Sequence, residues 1–147
     1  MKKFIQNNLA MIIVILVLIT ICLMAAYSHA SDSQNIESLH RAILKQEGWK
    51  GKPGDGGKAL GPYQIWHSYW LDATEFDKTI GGKYEDVNNL KYARKVFDAY
   101  MRRYATVKRL GRVATWEDIA RIHNGGPNGY KKSATDKYWN GVKSYLE

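Results

Sequence analysis

The chain has 147 residues, a formal net charge of +8 and one cysteine. That cysteine, Cys22, lies in an apolar run near the N-terminus, so the domain that follows it has none. This excludes disulfides, a thiol nucleophile and a cysteine zinc site there.

Residues 1–30 read as an export signal. Lys2 and Lys3 form a positive start, Leu9 to Ala26 is an almost unbroken apolar run, and Ser28-His29-Ala30 fits a small-x-small cleavage site that leaves Ser31 first. The run is long for a signal, so an uncleaved membrane anchor is the alternative, and the one route to a membrane. Cys22 is no lipoprotein site, because Ile21 before it is bulky. Residues 31–147 then form one domain with one core. The protein is expected to be exported, either periplasmic or secreted.

The first element of the domain is a helix. Ile36, Leu39, His40, Ile43, Leu44 and Glu47 recur at spacings of three and four, with Ser33 or Asn35 as a cap and Gly48 as the stop. This puts Glu47 on the apolar side of a helix end, where burial disfavours the charged form. The plainer alternative is a frayed-end glutamate paired with Lys45 or Lys50. His40 on the same stripe reads as a satisfied core histidine.

Residues 48–61 carry Gly48, Gly51, Pro53, Gly54, Gly56, Gly57 and Gly61, a long polar loop of the kind that often bears function. Asp55 lies in it and should stay ionised. Two carboxyls in unlike settings are what glycosidic cleavage requires: one donates a proton, the other faces a sugar cation. A small hairpin within 50–64 is the most that the strand signals support.

Ile65 to Ala73 reads as a short aromatic helix with Trp66, Tyr69 and Trp70. After a break at Gly81-Gly82, Asp86 is expected to cap a long helix with Val87, Leu90, Ala93, Phe97, Tyr100, Met101 and Tyr104 on one face. The basic residues from Lys91 to Arg112 suit a solvated helix face, and they would attract a polyanion such as a cell wall. Nucleic acid is set aside because the chain is read as exported. Thr115 and Asp118 have capping-box spacing, opening a helix that ends at His123-Asn124-Gly125-Gly126-Pro127. A last helix from about Thr135 turns Tyr138, Trp139, Val142, Tyr145 and Leu146 inward. The class is mainly α (α+β). No metal site is expected, because His40, His67 and His123 share no ligand spacing. The glycines of 54–61 lack a phosphate-loop pattern, so no cofactor is expected either.

Several stretches resemble one family in order: Gly61-Pro62-Tyr63-Gln64-Ile65, Tyr69-Trp70-Leu71-Asp72, Ala99 to Tyr104, Ala120 to Pro127, and Ser133-Ala134-Thr135 with Tyr138-Trp139-Asn140. Together they resemble the invertebrate-type (i-type) lysozymes, the destabilase family, from about Ile43 to Leu146. The resemblance implies a lysozyme-like fold with a hairpin or loop region after the first helix. It also implies a peptidoglycan or other N-acetylhexosamine polymer as substrate, and a proteinaceous lysozyme inhibitor as partner. It matches the family's acid to Glu47 and its second carboxylate, nucleophile or stabiliser, to Asp55.

Animal members are rich in disulfides, whereas Trp49, Ala73 and Tyr130 stand here where cysteines are expected, which looks like a bacterial branch. Lys58-Ala59-Leu60 holds no serine, so the isopeptidase activity credited to some members is not carried over.

Tyr63, Gln64 and Trp66 beside the glycine loop, and His123, Asn124 and Gly125 at the later turn, are the expected sugar-binding residues. Core packing is the plain alternative for Tyr63 and Trp66, and a helix C-cap for Asn124. Asp72 reads as a structural hydrogen-bonder and is the reserve for the second carboxylate. The expected activity is a hydrolytic muramidase. The alternatives are a lytic transglycosylase, which needs only the acid, and a non-catalytic wall-binding domain.

Overall fold

The structure, a computed structural model, describes the backbone of residues 2–146; in the first helix it describes the side chains of Met11, of 15–24 and of 36–47. The chain divides into two units, Met1–Ser38 and Leu39–Glu147.

Helix α1 (Lys2–Glu47) forms the first unit and opens the second. In the first unit the described side chains from Ile15 to Met24 are exposed, most of them large and apolar. Among the described residues no helix is long and apolar enough to cross a membrane. The Lys2-Lys3 start and the Ser28-His29-Ala30 site lie outside the described side chains. The backbone is helical through Ser33 and Asn35, so neither caps a helix start, contrary to expectation.

The second unit is mainly helical: the end of α1, then α2 (His67–Phe76), α3 (Leu90–Tyr104), α4 (Val107–Leu110), α5 (Trp116–Gly125) and α6 (Asp136–Lys143). Two short strands, β1 (Ala59–Leu60) and β2 (Ile65–Trp66), pair antiparallel, with Ala59 opposite Trp66 and Leu60 opposite Ile65. The hairpin therefore starts within the expected 50–64 and ends two residues beyond it, and Ile65 and Trp66 are strand rather than helix. Ile65 alternates into the core while Trp66 faces out, as strand periodicity requires.

The core runs through Leu39, Ile43, Tyr63, Ile65, Val96, Phe97, Ile122 and Val142, all fully buried. The α1 stripe is buried at Leu39, His40 and Ile43 as its spacing requires. Helix α3 packs against α2 and α5.

The helix starts follow the capping rules, with one shift. At α5 the Thr115 hydroxyl accepts the Asp118 N–H at 3.2 Å, and Asp118 accepts the Thr115 N–H at 2.8 Å. At α3 the cap is Asn89, which accepts the Tyr92 N–H at 3.1 Å. Asp86, the expected cap, instead closes a preceding 3-10 turn (Tyr84–Asn88) by accepting the Lys83 N–H. Leu90, at the first position of α3, is half exposed for that reason. Tyr145 falls past the end of α6 and is also exposed rather than inward.

Gly61 is required where the hairpin meets that 3-10 turn. Its φ is +72°, and a Cβ there would stand 1.9 Å from the Val87 carbonyl oxygen. The basic stretch is less free than a solvated face. Arg102 pairs with Asp77, Arg103 lies 3.5 Å from Glu75, and Arg112 donates to Asp118 at 2.9 Å. Lys91, Lys95 and Lys108 stay exposed.

Candidate active site

Helix α1 ends because Gly48 turns to φ +58°, its N–H still bonded to the Leu44 carbonyl at 3.2 Å. This leaves Glu47 at the mouth of a cleft of about 310 Å³ with its side chain only 14% exposed. Two groups from distant elements meet its Oε1. The Tyr138 hydroxyl of α6 donates to it at 2.6 Å, and the His123 Nε2 of α5 lies 3.2 Å away. The Tyr69 hydroxyl of α2 stands 3.4 Å from the other ring nitrogen, Nδ1. Neither Lys45 nor Lys50 is the partner of Glu47.

Asp55 is exposed and lines the same cleft. It opens a 3-10 turn (Asp55–Gly57) at φ +49°, a region aspartate tolerates better than most residues. The loop below is tied down where Gly54 bridges to Ala59, its N–H bonded to the Ala59 carbonyl at 2.9 Å. Across the hairpin the indole N–H of Trp66 donates to Asp55 Oδ2 at 3.0 Å. Trp66 is 44% exposed, with Lys58 Nζ 5.8 Å over its ring.

Gln64 lines the cleft in a left-handed turn (φ +47°), its amide donating to the Gly61 carbonyl at 2.8 Å. Asn124, exposed at the end of α5, and His123 line it too. Two expected residues do not. Tyr63 is 1% exposed, its hydroxyl 2.8 Å from His40 Nδ1, because its turn points the ring into the core against Phe97. Gly125 closes α5 and gives its carbonyl to Lys132 Nζ at 2.7 Å; the next residues, Gly126 and Pro127, reach the cleft instead.

Sequence reasoning placed Asp72 as a structural hydrogen-bonder, and it accepts the Tyr104 hydroxyl at 2.9 Å, but it also lines the cleft. Ser68, Tyr69 and Tyr100 line it as well without having been read as site residues. Tyr69 and Tyr100 stack with centroids 3.5 Å apart. Their i, i+4 and i, i+3 patterns marked only apolar faces, and a partner on another helix leaves no mark in such a pattern.

The buried hydroxyls are kept protonated. Burial, then the charge and hydrogen bond of Glu47, push Tyr138 well above the ordinary tyrosine range. Burial, with Tyr100 and Asp98 next, does the same for Tyr69. His40 is buried as expected. Its Nε2 lies 3.3 Å from Asp98 Oδ1 without forming a hydrogen bond to it.

Residues 45–145 match the Destabilase family. The chain belongs to that family, the invertebrate-type lysozymes. The destabilase domain is 34% identical over 116 residues to invertebrate-type lysozyme 3 of Caenorhabditis elegans, covering 74% of this chain and 84% of that one. It is 39% identical over 87 residues to lysozyme 1 of Crassostrea virginica, covering 58% of this chain and 44% of the oyster protein, so it spans under half of that relative. In three dimensions it resembles Meretrix lusoria lysozyme, crystallised in complex with Aeromonas hydrophila PliI. The TM-score is 0.60 at 31% identity, over 73% of this chain and 87% of that one. The fold is thus lysozyme-like, mainly α with a two-stranded sheet, as the sequence implies.

Proposed function

We propose that this destabilase-family protein is a muramidase, cleaving glycosidic bonds of peptidoglycan or a related N-acetylhexosamine polymer by hydrolysis. The observation that carries the reading is that Glu47 and Asp55 line one cleft in opposite settings. One is mostly buried under donors, the other open to water. Glu47 donates its proton to the leaving oxygen. Asp55 attacks or electrostatically stabilises the oxocarbenium-like centre, and its charge is kept in place by Trp66. Gln64 and Asn124 offer amides to the sugar substituents, and the open face of Trp66 offers an apolar surface to the ring.

Export suits this substrate. The apolar Leu9–Ala26 run, with Ile15 to Met24 exposed, is the kind of segment that a translocation apparatus reads and a peptidase removes. A bacterial source fits a domain whose stability depends on no disulfide. A proteinaceous inhibitor is a natural partner, since a structural relative is crystallised with one.

The test is Glu47→Gln. Amide and carboxyl are nearly isosteric, so the variant should fold while clearing of a cell-wall suspension falls by orders of magnitude. Clearing near the wild-type rate by the folded variant would sink the proposal.

A further inference from the structure

Glu47 Oε1 takes both of the carboxyl's close side-chain contacts. Tyr138 O–H stands at 2.6 Å and His123 Nε2 at 3.2 Å, and both groups come from outside the helix that carries Glu47. Tyr138 does not line the cleft, so it is placed to act on the carboxyl and not on a sugar. His123 Nε2 closes on the same oxygen as a contact, with the Tyr69 hydroxyl 3.4 Å behind it at Nδ1.

From this geometry, and resting on the muramidase reading above, we infer that Tyr138 is a positioning residue for the acid. Its hydroxyl, beside the His123 ring, clamps Oε1, so that Oε2 alone carries and delivers the proton to the sugar oxygen.

The clamp does two things. It removes the rotation that would turn the acidic proton away from the leaving oxygen, and misalignment of a proton donor is costly. It also grows stronger during the reaction. As the proton leaves Oε2, negative charge develops on the carboxyl, and hydrogen bonds to a charged acceptor are about twice as strong as neutral ones. The Tyr138 donor therefore favours the transition state over the bound substrate, which raises kcat and leaves KM alone. The Tyr138 hydroxyl remains a donor throughout, held in its protonated form by burial and by Glu47 itself.

The variant is Tyr138→Phe in the full chain, which removes one oxygen and keeps the ring packing. With soluble, uncrosslinked peptidoglycan strands as substrate, kcat should fall about tenfold, the rate equivalent of one hydrogen bond. KM should stay within about twofold, since uniform binding is untouched. An unchanged kcat, or a loss confined to KM, would overturn the inference.

A second measurement needs no activity. In proton NMR of the wild-type chain, the Tyr138 hydroxyl should give a signal protected from water exchange. That signal should vanish in Tyr138→Phe and move in Glu47→Gln, where the acceptor becomes an amide. A hydroxyl signal indifferent to Glu47→Gln would refute the clamp. Wild-type chain that left peptidoglycan intact while showing this signal would refute the muramidase reading and leave the clamp standing.

Discussion

Trp66 gives its indole N–H to Asp55 Oδ2 at 3.0 Å, joining the outward face of β2 to the glycine loop. The bond decides which carboxylate is the better candidate for facing the sugar cation. Asp55 is open to water and held by one donor. Asp72 has its carboxylate on the Tyr104 hydroxyl, and its carbonyl accepts from Arg103 at 2.6 Å, which ties it to α3.

Asp55→Asn is therefore expected to fold, to bind wall polymer, and to lose turnover by at least about a hundredfold, the scale for removing one electrostatic stabiliser. Asp72→Asn is expected to keep most activity and lose some thermal stability. The decisive comparison is the two variants side by side on one peptidoglycan preparation. An active Asp55→Asn beside a folded, dead Asp72→Asn would pass the role to Asp72.

Asp118 offers a prediction on pH and stability. Burial alone would raise it, but bonds from Arg112 and Thr115 outweigh burial and hold the carboxyl below its usual range. A depressed carboxylate stabilises the fold above its unfolded value, near 4, and that contribution is lost as pH falls through the folded value. Asp118→Ala removes the capping box and leaves the hydroxyl and guanidinium unanswered. It should cost about 2 kcal/mol at pH 7. The gap between the two proteins should begin to narrow as pH falls below about 4 and go on narrowing through the folded value; a gap that stayed constant down to about pH 3 would show that the carboxylate charge contributes nothing.

These residues also show how far the sequence reaches. The α1 stripe, the Thr115–Asp118 box and the turn after His123 are local, each set by spacing or by one residue's dihedral preference, so they are legible from neighbours alone. Tyr138 is not. It lies 91 residues from Glu47, and its helical period says only that it faces inward. Tyr63 illustrates the reverse failure. It sits beside the glycine loop in sequence, yet the turn between β1 and β2 sends it to His40 in the core. Asn89 displaced Asp86 as the α3 cap because the chain closes a 3-10 turn first, and two capping residues three apart look alike without the backbone.

Export is open to direct measurement. If Ser28-His29-Ala30 is cleaved as proposed, N-terminal sequencing of protein recovered from its producing cell should begin at Ser31. Protein that kept Met1 and partitioned with membranes would show a signal anchor instead.

The muramidase account is tested most directly by the mass of the fragments that the protein releases from purified peptidoglycan. Hydrolysis and transglycosylation break the same bond with the same acid and differ in what captures the sugar cation. With Asp55 in the cleft beside Glu47, the account predicts ordinary reducing ends, absent from digests by Glu47→Gln. Fragments ending mainly in 1,6-anhydro sugar, each lighter by one water, would contradict it: the sugar's own hydroxyl would then be the nucleophile, and Asp55 would have no part in the chemistry.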